Sequence, residues 1–399
     1  MDLACTVPSS SSSSSSVSSI DTSHDCDSPR GGDADHELLH AGVSVSVSSS
    51  SSSASIQRIL GLIRSEDPDS RLFAAGEIRR LTKTSHRCRR HFSQAVEPLV
   101  SMLTLLDSPE SHHEAALLAL LNLAVKYEKN KVSIVEAGAL EPIMNFLQSN
   151  RPTLQEYASA SLLTLSASAT NKPIIGANGV IPLLVKVIKH GSPQAKADAV
   201  MALSNLSTLS TNLTTILATK PLSPILNLLK TSKKSSKTSE KCCSLIESLM
   251  VSNEEARTGL VSDEGGVLAV VEVLENGSLQ AKEHAVGVLL TLCQSDRSKY
   301  REPILREGVI PGLLELTVQG TSKSRTKAQR LLCLLRDSDS SRSEVQPDTI
   351  ENIVSSLISH IDGDDQSGKA KKMLAEMVQV SMEKSLRHLQ ERASTLVRP

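Results

Sequence analysis

The sequence predicts an all-α solenoid, and three observations carry that reading. One apolar phrase returns along the chain at a near-constant spacing. Within each copy the apolar positions fall at 0, +4 and +7, on one face of a helix. The composition suits stacked thin layers: of 399 residues, 39% are hydrophobic but only 2% aromatic, and Trp is absent. Helices packed through Ala, Leu, Ile and Val need few rings.

The segment 1–55 comes first. It is dominated by Ser, with unbroken runs at 9–16 and 48–53. Such a stretch buries too little apolar surface to offset its ordering entropy, so it is expected to be a disordered tail whose hydroxyls are open to phosphorylation. It lacks a basic segment followed by an apolar one, so no secretory signal is expected.

Residues 56–338 hold the repeats. The last apolar position of each copy is Leu81, Leu123, Leu165, Leu206, Leu249, Leu292 and Leu335, at steps of 41 to 43. Three residues earlier stand Ile78, Leu120, Leu162, Leu203, Ile246, Leu289 and Leu332. Seven earlier stand Ala74, Ala116, Ala158, Ala199, Cys242, Ala285 and Ala328. That column is small in every copy, as close helix packing requires. Seven copies in register at one period are the mark of a repeat protein. A further step reaches Ala370, Leu374 and Met377, so 339–399 is expected to be a capping repeat and helix.

Between copies lies a second theme, "IVEAGALEPIMNFL", "IIGANGVIPLLVKVI" and "ILREGVIPGLLEL". Here a short helix ends at Gly138, Gly179 or Gly308, where a left-handed residue costs glycine little. Pro142, Pro182, Pro224 and Pro311 then open the next helix. Each unit is therefore short helix, helix, long helix. Lys220 stands where one glycine is expected, and "SDEGGV" lengthens the sixth approach. Asn130, Asn171 and Asn212 are expected to cap the short helices, while Asn253 falls out of register.

Catalysis finds no foothold. No P-loop, GxSxG, HExxH or kinase signature occurs. His112 and His113 are adjacent on a helix and point apart. Cys242 takes the small column and is expected to be core. Seven cysteines without a CxxC pair point to reduced thiols rather than disulfides or zinc. No enzyme activity, cofactor or metal is expected. No run of 18 apolar residues suggests a membrane span, and the formal net charge of −1 gives no global case for nucleic acid.

Two columns flank the buried stripe of the long helix. The −1 column reads Phe73, Ala115, Tyr157, Asp198, Lys241, His284 and Lys327, then Lys369 in the eighth copy. Its later half is basic, which suits an acidic or phosphorylated segment. The +6 column reads Arg80, Asn122, Thr164, Asn205, Ser248, Thr291 and Leu334. Two further clusters are basic: "RRLTKTSHRCRRH" at 79–91, and "KTSKKSSKTSEK" at 230–241, which looks like a polar loop. Without interleaved aromatics neither argues strongly for nucleic acid.

The period, the three helices per unit, the Gly–apolar–apolar–Pro corner and the "ALSNLS" helix together resemble armadillo repeats. "NKVSIVEAGALEPIMNFL" and "NKPIIGANGVIPLLVKVI" look most like the armadillo region of plant U-box proteins. The resemblance implies a right-handed superhelix whose third helices line a groove for extended peptides or partner domains. In that family the +6 position carries a groove Asn, kept here at Asn122 and Asn205. Importin-type receptors pair it with a Trp, but Leu118 and Met201 stand there, against a nuclear-import role. No "CPI"-like U-box segment is seen, so a relative without intrinsic ligase activity is expected. The implied function is a non-enzymatic adaptor, in the cytoplasm or nucleus. Its partners would be protein segments, kinases or ubiquitin ligases, met through Arg80, Asn122, Tyr157, Asn205, Lys241, His284, Lys327 and Lys369. The alternative is a substrate-recruiting accessory of ubiquitin ligation.

Overall fold

In the computed structural model, residues 47–105 and 109–336 are described. The eighth copy with Lys369, and all of the Ser-rich segment before Val47, lie outside them. Among the described residues every regular element is helical. An opening pair, α1 (Val47–Ile63) and α2 (Pro68–Thr82), precedes six three-helix units. These are α3 (His86–His91), α4 (Val96–Thr104) and α5 (Glu110–Ala124); α6 (Glu128–Glu136), α7 (Leu140–Gln148) and α8 (Pro152–Ser166); and α9 (Asn171–Ala177), α10 (Val180–His190) and α11 (Pro193–Leu206). There follow α12 (Ser210–Ala218), α13 (Leu222–Thr231) and α14 (Lys237–Ser252); α15 (Glu254–Ser262), α16 (Gly266–Asn276) and α17 (Leu279–Ser295); and α18 (Arg297–Arg306), α19 (Ile310–Gln319) and α20 (Ser322–Leu335).

The long helices stack in file, α2 on α5, α5 on α8, and so on to α20, with the second helices in a parallel file from α4 to α19. The small column is the seam of the first file. Ala74, Ala116, Ala158, Ala199, Cys242, Ala285 and Ala328 are all fully buried. Each presents little more than a β-carbon, so the next helix can pack close.

The turns before the second helices use left-handed residues, as read from the sequence: Gly138, Gly179 and Gly308 have φ of 87°, 78° and 76°. Gly265, inside the lengthened approach, does the same at 72°. Lys220 adopts φ 50° where glycine was expected. The position, not the residue type, dictates the turn, and the lysine carries the Cβ–carbonyl strain.

Three local expectations are corrected. α1 starts at Val47, so its first turns run through Ser48–Ser53. Ile59, Leu60 and Ile63 anchor its later turns in the core, and extending a formed helix is far cheaper than nucleating one. Residues 237–241 are helix rather than loop, because the Ser236 hydroxyl caps α14 through the Ser239 N–H. Asn130, Asn171 and Asn212 do not cap their helices, being inside them and buried. The out-of-register Asn253 is the cap, its side chain accepting from the Ala256 N–H at 2.6 Å.

The buried asparagines instead join neighbouring repeats. Asn130 Nδ2 donates to the Arg89 carbonyl at 3.0 Å and the Leu123 carbonyl at 2.9 Å. Its Oδ1 accepts from the Ser93 hydroxyl at 2.7 Å. Asn171 donates to the Lys131 carbonyl and Asn212 to the Lys172 carbonyl, each at 2.9 Å. Each ties a short helix to the one before it, and α6, α9 and α12 pack in sequence. Gly176 makes the room: a Cβ there would collide with the Asn212 amide.

Candidate functional site

The long helices bring the −1 and +6 columns onto one side of their file. Along it the small column is sealed, while the flanking columns remain partly open at every described position except the buried Asp198.

Arg80 lies on the last turn of α2 with its side chain 65% exposed. Its guanidinium grips Glu77 two-handed, Nε to Oε1 at 3.0 Å and Nη2 to Oε2 at 2.8 Å, and holds that carboxyl below its usual range. Asn122 and Asn205 are half-buried. Asn122 Nδ2 donates to the Arg79 carbonyl at 2.9 Å. Asn205 Nδ2 donates to the Leu163 carbonyl at 3.3 Å and the Ser166 hydroxyl at 3.2 Å. Both amides therefore bind the preceding long helix through Nδ2. Tyr157 is half-buried against the core, and Phe73 in the same column is 54% exposed.

The basic half of the −1 column is not a row of free charges. His284 Nδ1 lies 2.7 Å from Glu247 Oε2, and Lys327 Nζ donates to Glu247 Oε1 at 2.7 Å and to the Glu283 carbonyl at 3.2 Å. One carboxylate from α14 thus joins an imidazole on α17 and an ammonium on α20. Lys327 reaches it across the middle helix because Gly287 leaves a gap; a Cβ there would collide with both charged ends. Burial pushes the Glu247 carboxyl up, but the bonds from His284 and Lys327 outweigh it and leave the group below its ordinary value. Lys241 is the looser member, 4.0 Å from Glu240.

Glu247 sits at +5, a column the sequence reading passed over. A second missed set stands at −2. Glu156, Glu240 and Glu283 receive hydroxyls from the residue capping the next long helix, Ser192 at 2.5 Å, Ser278 at 3.5 Å and Thr321 at 2.6 Å. The 43-residue step from Glu240 to Glu283 was the available signal. Asp198 takes no cation. Burial raises its carboxyl, the Gln194 amide at 3.1 Å opposes this, and nearby Glu156 adds to the rise.

The remaining chemistry-bearing groups are structural. His112 and His113 each reach a backbone carbonyl, Pro68 at 3.3 Å and Leu105 at 3.0 Å. Burial drives the Cys243 thiol up to about 12 and Cys293 to about 11, with Cys242 well above its ordinary value. Such thiols stay protonated and poorly nucleophilic at neutral pH. Among the described residues no group of His, Cys, Asp and Glu is arranged to hold a metal, and no helix is long and apolar enough to cross a membrane.

Comparison with known proteins agrees with this geometry. The family described as the plant U-box protein ARM repeat region matches residues 143–355. U-box domain-containing protein 45 of Arabidopsis thaliana is 28% identical over 245 residues, 61% of this chain and 31% of that protein. U-box domain-containing protein 17 of the same plant is 29% identical over 304 residues, 75% of this chain and 41% of that protein. The match thus spans less than half the length of either relative. Among solved structures, an engineered protein superposes with a TM-score of 0.62 at 20% identity, covering 85% of this chain and 79% of its own. A chain from work on the phosphorylation-switched interaction between cadherin and beta-catenin gives 0.59 at 18%, covering 70% and 52%. These two likenesses concern the fold.

Proposed function

The chain belongs to the family of plant U-box protein armadillo-repeat regions, and from that premise we propose that it is a non-enzymatic adaptor that binds a protein segment along its long helices. One observation carries the reading: seven long helices in file bury one small column completely while keeping the adjacent −1 and +6 columns partly open everywhere but at Asp198. The core is thereby separated from a long face whose side chains are free to vary without loss of packing. Phe73 and Tyr157 offer apolar surface, and the Oδ1 atoms of Asn122 and Asn205 offer acceptors for a partner's N–H groups.

Phe73→Glu with Tyr157→Glu tests it. Affinity purification from plant extract, followed by mass spectrometry, should lose a recurrent set of partners held by the wild type, with the melting curve intact. An unchanged set would remove this face from the reading. The named relatives favour a second reading, recruitment of substrates to a ubiquitin ligase. Ligases or conjugating enzymes among the lost partners would support it. Conjugates assembled by the purified chain with activating and conjugating enzymes alone would overturn the non-enzymatic assignment.

A further inference from the structure

We propose that the edge formed by the end of α2, α3 and the α5–α6 turn is a docking site for a phosphorylated protein segment. This edge is separate from the long-helix face and does not depend on it.

Residues 78–96 contain no Asp or Glu. The fold gathers six exposed cations there: Arg79 and Lys83 from α2 and its cap, Arg87 and Arg90 from α3, Lys126 from the α5–α6 turn and Lys129 from the start of α6. None of the six side chains has a carboxylate partner among the described contacts. In the later repeats several cations are instead paired between neighbouring units, as at Lys230–Asp263, Lys234–Glu272, Lys282–Glu315 and Lys327–Glu247.

The edge is held from beneath by uncharged or buried contacts. Arg89, only 6% exposed, turns inward and donates to the Thr82 and Lys83 carbonyls, both at 2.9 Å. That fixes α3 against the end of α2. Asn122 holds the Arg79 carbonyl and Asn130 holds the Arg89 carbonyl. The His86 and Tyr127 rings meet edge-on with centroids 5.2 Å apart, joining α3 to the turn that carries Lys126 and leads into α6. The backbone that carries the cations is thus a rigid base, so the ordering entropy to be lost on binding is confined to their side chains.

Arg87 and Arg90 are three apart on one helix, so they share a face. Two guanidinium forks on one face suit an oxyanion of nearly two charges and three oxygens better than a single carboxylate. Exposed stacking rings are scarce at the edge, which weighs against single-stranded nucleic acid.

The test is fluorescence anisotropy with the full chain and a labelled ten-residue Gly/Ser peptide carrying three phosphoserines. The phosphorylated peptide should bind at least about ten-fold tighter than its unphosphorylated form, with strong weakening by salt. Arg87→Glu with Arg90→Glu should abolish that preference, whereas Lys189→Glu at the exposed end of α10 should leave it. Should the double reversal fail to fold, Arg87→Gln with Arg90→Gln takes its place. Equal binding of the two peptides, or a preference surviving in the folded double variant, overturns the proposal. So does an RNA oligomer of equal charge that binds more tightly than the phosphopeptide.

Discussion

The first half of the stack and the second are joined by different chemistry. From α3 to α12 the units are linked by buried amides, with Asn130, Asn171 and Asn212 each donating to a carbonyl one repeat earlier. From α13 to α20 they are linked by charges, with Lys230 on Asp263, Lys234 on Glu272, Lys282 on Glu315, and Glu247 between His284 and Lys327. An amide-to-carbonyl link is neutral and barely responds to salt or acid. An ion pair that water still reaches responds to both. The early half also carries an ion pair between repeats, Arg151 on Glu110, but its side chains are exposed enough for it to contribute little.

The largest expected effect breaks the neutral half. Asn130→Ala removes three hydrogen bonds at a site 1% exposed and takes an amide donor from the Arg89 and Leu123 carbonyls. It should cost roughly 2–4 kcal/mol in urea unfolding, equally at low and high salt. A salt-dependent cost would erase the contrast between the halves.

Next comes the charged half. The Glu247, His284 and Lys327 side chains are 22%, 29% and 28% exposed. Allowing for that access to water, Glu247→Gln should cost about 1–2 kcal/mol at low salt and less at high salt. The folded carboxyl lies below its ordinary 4.5. Its contribution is therefore present in full above that value and is lost as pH falls through the depressed one. Wild type and Glu247→Gln should converge in acid; a gap that persists there would assign the loss to packing.

Gly287→Ala should be milder. The methyl wedges apart Glu247 and Lys327 but gains about 0.5–1 kcal/mol of helix propensity. In a Glu247→Gln background the wedge has no ion pair left to split, so the two substitutions should be non-additive in a double-mutant cycle. Strict additivity would show that the gap at Gly287 does not serve the pair.

Asp198→Asn carries the smallest effect and the opposite sign. Its folded carboxyl is raised from 3.8, so the ionised form is penalised by folding. That cost is present at neutral pH and fades as pH falls through the raised value. The variant should melt slightly higher than wild type near neutrality and match it in acid.

Much of the fold is legible in the sequence because its rules are local. The small column, the left-handed glycines and the prolines opening the second helices each act within one turn of chain, and repetition removes the ambiguity of a single instance. Lys220 shows how strong this is, since the turn forms at its place in the repeat even without glycine. The candidate face was less legible. Its columns were located, but whether Asn122, Asn205, His284 or Lys327 already had partners was not.

The sequence by itself therefore determined the period, the order of helices and which residue of each long helix is sealed, because helical geometry converts spacing directly into a buried face. Only the tertiary structure decided who pairs with whom. The donor of Asn130 finds its acceptor 41 residues back, and Lys327 finds Glu247 80 residues back through the gap at Gly287. Such meetings depend on the rotation and offset between stacked helices. Many side-chain packings along the whole stack set these together, and no single repeat contains them.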